Sequence, residues 1–332
     1  QAHCERGAEL LREFRPMAGL AEPIRFHHTR WEWLITEKLP TGTKEQANLI
    51  FLVERVSNLA TPYAGNRAAL LHNMQRIRHE IAAGAPLHFA PQLVEWFMAA
   101  STNESFWLNL EPPSIHAYLG NRLKQSLPLM TPMRELRHLA TIFSRIVDAK
   151  SPYLAGHSPG VANVARFLAE RLGLSAATAD KLEIAGLVHD VGKLRIPDEI
   201  FDKQGRLDEF ERHLVNTHAY DTFQILRRVP GFDEIRWWVA YDLEEPGSAG
   251  NPFAERPEIP PVEARILRVA DIFQAMAQDR PYRKALPAER IKLFLQEFVG
   301  KGQLDADTVE ALLADLPGAI AVAQSAPAAP AQ

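Results

Sequence analysis

Cysteine is all but missing. Cys4 is the only one in 332 residues. That excludes an intrachain disulfide framework and fits a reducing compartment, so a cytoplasmic location is expected. No apolar run approaches the ~20 residues a helix needs to cross a bilayer, so no membrane partner is expected. Basic charge is not in excess either: 37 Lys and Arg face 41 Asp and Glu, for a net charge of -4 and a pI of about 6.3. The basic face of a nucleic-acid binder is therefore not announced. Convincing strands with alternating apolar residues are absent too. No secretory leader is visible and residue 1 is Gln rather than Met, which reads as a trimmed chain whose upstream sequence is missing.

What is present is helical. Hydrophobic residues make up 46% of the chain, enough for ordinary packed cores, and the length suits two domains. Leu10-Leu11, Ile50–Leu52, Ala69–Leu71, Leu93–Phe97, Leu139–Ile146 and Leu293–Val299 fall in amphipathic patterns. The pattern predicts an all-α fold. Glu111-Pro-Pro-Ser114 and Glu258-Ile-Pro-Pro261 read as turns, and Pro317–Gln332, rich in Ala, Pro, Gln and Ser, as a disordered tail.

The chain also repeats itself. At an offset of 215 positions, His3–His28 lies over His218–Leu243 without a gap, so that His27-His28 falls on Asp242-Leu243. After a two-residue slip Phe51–Glu54 falls on Arg268–Asp271, and Phe89–Glu95 later falls on Leu304–Glu310. Two copies of one helical domain are expected. The first is only a C-terminal half, residues 1–116. A linker follows over 117–132, then a complete copy over 133–316, then the tail over 317–332.

The chemistry gathers in the second copy. Ile184, Leu187, Val188 and Val191 recur at helical spacing, predicting a buried helix that ends near Gly192. His189-Asp190 sits on it, and neighbouring side chains ~100° apart on a helix can line one cleft wall. Alone, the dipeptide would read as a core histidine beside a capping Asp. The rest of the chain adds His157, His218, placed mid-helix in Leu214–Tyr220, and Asp271, a carboxylate inside the apolar run Ile266–Phe273. Burying such a carboxylate is costly unless a cation pairs with it, though an ion pair with Arg265 or Arg268 would serve as well. Imidazole and carboxylate together suit a divalent ion of the Zn, Mn or Fe class.

Those motifs, in that order, resemble the HD superfamily of metal-dependent phosphohydrolases and its HD-GYP branch. They are His157-Ser158, His189–Lys193 with Ile196-Pro197-Asp198, His218, Ala264–Asp271 and Asp279–Lys284. The first copy resembles the second half of the same domain, through His27–Trp31 and Glu104–Trp107. The resemblance implies an HD-type helical bundle, a divalent metal (Fe, Mn, Zn or Mg class) and hydrolysis of a phosphodiester, with cyclic di-GMP as the family substrate. It implies metal ligands at His157, His189, Asp190, His218 and Asp271; Asp242, where the family has an imidazole, still offers an oxygen ligand. His189, Asp190 and Lys193 fall on catalytic positions, and Lys193, Arg280 and Arg283 on those gripping substrate phosphates, as suits Arg.

The chain departs from the pattern where the family has His-His-Glu and then Gly-Tyr-Pro. Here stand Asp242-Leu243-Glu244 and Gly250-Asn251-Pro252. Leu243 has no lone pair to offer, and Tyr153 occupies the position of a Glu that serves a third metal in some members. One metal is therefore expected rather than two, with weak or lost hydrolysis and a signalling or sensor role. A second copy of the chain or a signalling protein is an expected partner. Two rivals stand beside this reading: an active phosphodiesterase in which Asp242 completes a two-metal site, and a metal-free interaction module. The first copy lacks the His-Asp half and is expected to be structural.

Overall fold

A computed structural model describes residues 2–124, 131–150, 156–201, 203, 205–242, 259–279 and 283–325. Among the described residues the chain is all-α, and no strand element forms. It divides between Thr131 and Pro132 into two compact units.

The N-terminal unit holds α1 (Ala2–Glu13), α2 (Ala21–Arg25), α3 (Trp31–Leu34), α4 (Thr41–Ala60), α5 (Arg67–Ala83), α6 (Pro91–Ala100), α7 (Glu104–Leu108) and α8 (Pro112–Lys124). Its core joins Leu52 and Val56 of α4, Ile77 and Ile81 of α5, Leu93 and Phe97 of α6 and Trp107 of α7. Each such side chain contributes roughly 1.5–3 kcal/mol when fully buried. Two buried polar side chains of this core find partners: Trp107 Nε1 donates to Ser101 O at 3.0 Å. Asn48 donates to His88 O at 2.9 Å and accepts from Ala90 N at 2.8 Å. The prolines expected as a turn at Glu111–Ser114 instead open α8, where a missing N–H is harmless. That helix runs to Lys124, through the first half of the expected linker.

The C-terminal unit holds α9 (Met133–Asp148), α10 (His157–Arg171), α11 (Ala176–Val188), α12 (Asp198–Phe201), α13 (Glu209–Asn216), α14 (His218–Leu226), α15 (Asp233–Asp242), α16 (Val262–Ala277), α17 (Ala288–Gly300), α18 (Ala306–Leu313) and α19 (Leu316–Gln324). A 3-10 turn, Val191–Arg195, follows α11. The middle of the unit is the crossing of α10 with α11 and α16. Val161, Val164, Ala165 and Leu168 of α10 are fully buried with Leu182, Ile184 and Ala185 of α11 and Ile266, Leu267 and Phe273 of α16. At Gly186 a Cβ would stand 2.6 Å from Ala162 Cα, so only glycine lets α11 approach α10 this closely.

Two expectations change here. The stretch from Pro317 to Ser325 is not a disordered tail: α19 packs on α10, with Ala319 and Ala323 buried. Gln274 Nε2 donates to Ala323 O at 3.3 Å and Asn163 Nδ2 to Val322 O at 3.2 Å. Small residues that look featureless in sequence are what a close helix contact needs. Residues 326–332 lie outside the described residues. The expected helix through Gly192 also closes earlier, at Val188, with His189 as its C-cap.

Two helix ends in each unit share one spacing. Ala60 and Ala277, the ends of α4 and α16, stand 217 positions apart, as do Ala83 and Gly300, the ends of α5 and α17.

Candidate metal centre

The three histidines are presented by helix ends, and Asp271 by the interior of α16. His157 opens α10, behind Gly156 whose φ of 72° lies in the left-handed region that favours glycine. His189 caps the C-terminus of α11, where the last carbonyls lack intrahelical partners. Its Nδ1–H donates to Gly186 O, three residues back, at 2.8 Å. His218 repeats the device at the end of α13, donating from Nδ1 to Val215 O at 2.6 Å. A proton held on Nδ1 leaves Nε2 with a free lone pair, the form that ligates a metal. His218 was expected mid-helix. It is instead the first residue of α14, separated from α13 by the single residue Thr217, which keeps a right-handed helical conformation.

These ends converge. The ligand atoms of His157, His189 and Asp271 all lie within 4.8 Å of one another. His157 Nε2 is 2.9 Å from Asp271 Oδ1, and His189 Nε2 is 3.9 Å from the same oxygen. Asp190 joins them, its Oδ2 at 3.4 Å from His189 Nε2, and its Oδ1 faces His218 Nε2 at 3.8 Å. Two ligand atoms that share one ion at about 2.1 Å stand roughly 3.0–3.4 Å apart, close to this spacing.

The buried polar atoms here also fit a cation. Asp190 Oδ1 and both carboxylate oxygens of Asp242 are buried and find no hydrogen-bond donor among the described residues. A buried carboxylate without a donor is costly. An ion bound by His157, His189, Asp190 and Asp271, with Asp242 nearby, would satisfy it.

The charges respond to this crowding. Burial would raise the Asp190 carboxyl, but His189, Lys193 and His218 outweigh it and hold the group well below the usual carboxylate range. Burial likewise opposes ionisation of Asp271, and the hydrogen bond and charge of His157 bring it to about 2. For His157, burial favours the neutral ring, yet Asp271 and Asp190 raise it above its ordinary value. His218 is lowered, by burial first and by Lys193 next. Asp242 is pushed well up by burial and then by the charges of Asp271 and Asp190, which Arg268 offsets only in part.

Not every expected residue joins the cluster in the same way. Lys193 Nζ sits on Asp190 Oδ2 at 2.5 Å, within the carboxylate's own shell. Arg283 is exposed and donates to Ala275 O, one turn beyond Asp271 on α16. Arg280, Tyr153, Leu243, Glu244 and Gly250–Pro252 lie outside the described residues.

The sequence reading missed Asp148. It is 5% exposed and accepts a 2.7 Å hydrogen bond from Ser158 Oγ, next to His157. Burial raises its carboxyl to about 6, against the Ser158 hydrogen bond. The signal was there: with Ala140, Ser144 and Val147 it lies on the buried stripe of α9. Arg268, the alternative partner offered for Asp271, donates from Nη1 to the backbone carbonyl of Asp242 at 2.5 Å.

Residues 141–307 match the family profile described as an HD domain. Over 320 residues the chain is 32% identical to the 3'3'-cGAMP-specific phosphodiesterase 1 of Vibrio cholerae, covering 94% of this chain and 73% of that one. It is 32% identical to the 3'3'-cGAMP-specific phosphodiesterase 3 of the same organism over 90% of this chain, and spans 63% of that protein's length. Against the cyclic di-GMP phosphodiesterase response regulator RpfG of Xanthomonas campestris it is 30% identical, over 53% of this chain and 47% of that one. The crystal structure of the V. cholerae cyclic GMP-AMP specific phosphodiesterase V-cGAP3 superposes with a TM-score of 0.57 at 29% identity, over 96% of this chain and 72% of that one.

Proposed function

Because the chain belongs to the HD-domain family, in the HD-GYP branch whose relatives are named as cyclic-dinucleotide phosphodiesterases, we propose that its C-terminal unit is a metal-dependent phosphohydrolase domain that binds cyclic dinucleotides and hydrolyses them weakly or not at all. A cyclic dinucleotide signal would then be sensed more than destroyed. The observation that carries the metal reading is the convergence of His157, His189 and Asp271 within 4.8 Å.

A divalent ion, when bound, polarises a phosphoryl oxygen and lowers the pKa of bound water. The chain's own residues prepare for it. His189 and His218 aim unprotonated Nε2 atoms inward, because each Nδ1–H is committed to a carbonyl of its own chain. Asp190 lies between the His189 side and His218, placed to serve both. Lys193 brings an ammonium to the same carboxylate, where it can meet a phosphate charge. Arg283 and Arg280 are the further basic residues of the reading. Weak turnover is argued from Leu243, which offers no ligand where the family has an imidazole, and from the need of two-metal chemistry to stabilise both attacking and leaving oxygens.

A second reading, an active phosphodiesterase, is favoured by Asp242. Both its oxygens are buried without donors beside Asp271 and Asp190, as an additional ligand's would be. The experiment that separates the two is paired. Metal content is measured on the purified chain, and hydrolysis of 3'3'-cGAMP and cyclic di-GMP is followed with excess Mn²⁺ or Fe²⁺ while binding is measured calorimetrically. Binding with turnover far below ~10 per second supports the weak-enzyme reading; turnover near that ordinary enzymatic rate supports the active one. A chain that holds no metal would defeat both.

A further inference from the structure

The N-terminal unit carries a separate convergence of donor atoms. Three imidazoles and the chain's single thiol meet there, the ligand atoms of His3, Cys4, His27 and His28 all lying within 4.8 Å of one another. His28 Nε2 is 2.9 Å from His3 Nε2, and Cys4 Sγ is 3.5 Å from that same nitrogen. The three rings stand 4.1–5.5 Å apart between centroids.

One of the protons is already placed. His27, just beyond the end of α2, donates from Nδ1 to Ile24 O, three residues back, at 2.5 Å. Its Nε2 is thus a lone pair. His28 turns Nδ1 toward Glu54 Oε2 at 3.3 Å. That oxygen is buried and has no hydrogen-bond donor among the described residues. A carboxylate placed behind an imidazole can orient it as a ligand once the two draw together, while burial and the charge of His27 hold His28 below its ordinary value. His28 Nε2 then faces His3 Nε2 as an acceptor, and two ring nitrogens at 2.9 Å repel unless a proton or an ion lies between them.

Packing does not account for the cluster. His3 and His28 are exposed and bury little apolar area, while Cys4 is 3% exposed behind them. A buried thiol under three inward-facing imidazole nitrogens is a donor set for a soft or borderline ion, not for Mg²⁺ or Ca²⁺, which take oxygen.

We propose that His3, Cys4, His27 and His28 form a transition-metal site of the zinc class, with Glu54 orienting His28, separate from the candidate centre of the C-terminal unit. The site fastens α1 to the turn after α2, across 25 positions of sequence, and through Glu54 to α4. Its role is structural: it completes a half-domain whose core is otherwise small.

Co²⁺ replaces zinc and reports on its ligands, and Cys4 is the only thiol, so the full metal-free chain is titrated with Co²⁺ and near-ultraviolet thiolate-to-cobalt absorption is followed. The His189→Gln chain removes the other centre from the measurement. The proposal expects the absorption band in both proteins, about one equivalent of Zn²⁺ displacing it, and a rise in the N-terminal unit's melting temperature with Zn²⁺. Cys4→Ser should abolish the band, and His3→Gln with His28→Gln, both at exposed positions, should weaken binding by at least ~100-fold, more than loss of an outer-shell partner costs. No thiolate band in the unmodified chain would overturn the proposal without recourse to any variant. So would a band undiminished in the folded His3→Gln, His28→Gln protein.

Discussion

His157 and Asp271 are 114 positions apart in sequence and meet at 2.9 Å, Nε2 to Oδ1. One opens α10 and the other lies within α16, so their meeting depends on the α10–α16 crossing and not on any local turn. The pair therefore reports whether the C-terminal unit is correctly packed.

His189→Ala and Asp190→Ala should each lower metal occupancy of the C-terminal unit by more than ~100-fold in affinity, because a direct ligand matters more than the outer-shell groups whose loss costs ~10–100-fold. Far-ultraviolet circular dichroism should change little, since both residues lie at the junction between α11 and the 3-10 turn. Metal analysis of the purified variants checks it; unchanged stoichiometry in the His189→Ala protein would sink the ligand assignment.

Asp148 makes a pH-dependent contribution whose sign follows from its raised carboxyl, about 6 against an ordinary 3.8. Between those values the folded state binds more protons than the unfolded one, so stability falls as pH rises. The contribution is present below the ordinary value and is lost as pH rises through about 6. Its size is roughly 2–3 kcal/mol. Asp148→Asn keeps an acceptor for Ser158 and cannot ionise. In chelator, urea melts should show the variant more stable than the parent at pH 7.5 and equal to it near pH 4. A difference that does not move with pH would refute the assignment.

Gly192→Ala should damage the site without touching a ligand. A Cβ there would collide with His218 O and stand 2.6 Å from Thr222 N, both backbone atoms. Overpacking costs ~1–3 kcal/mol, and relief requires the 3-10 turn to leave the start of α14, carrying Asp190 away from His218. Lower melting temperature with weakened metal binding is expected. A fully stable variant with normal binding would show that the turn can shift freely.

Truncation after Asp315 should lower the melting temperature of the C-terminal unit by several degrees. The deletion removes α19, its buried Ala319 and Ala323, and the carbonyls that Gln274 and Asn163 use. At ~2–4 °C per kcal/mol for a unit of this size, loss of even ~2 kcal/mol is readable by calorimetry. An unchanged transition would mean α19 contributes nothing.

Much of this was legible in the sequence, for identifiable reasons. His189-Asp190 stood out because polar residues in an apolar helical pattern are costly, and Asp271 for the same reason. The all-α fold was legible from periodicity, which is a local property. What escaped were features decided by contact at a distance. Asp148 looks like an ordinary helix-end carboxylate until Ser158 and the core close over it. The Ala-rich α19 has no large side chain to advertise burial, and only the close face of α10 makes it a core element. His218 opens α14 rather than sitting mid-helix, and the one-residue junction at Thr217 keeps helical dihedrals, so no sequence pattern marks it. The gathering of Cys4 with His27 and His28 requires α1 to fold back on α2, which no pattern in residues 1–28 specifies.

Three of the histidines, His27, His189 and His218, hold the Nδ1 proton on the carbonyl three residues earlier. The consequence is one of inheritance. A turn that sets its own tautomer needs nothing from the rest of the protein to offer a lone pair. It can be duplicated, moved to another stretch of chain or separated from its former neighbours and still arrive chemically competent. Substitutions that leave Ile24, Gly186 and Val215 in place should therefore leave all three lone pairs where they are.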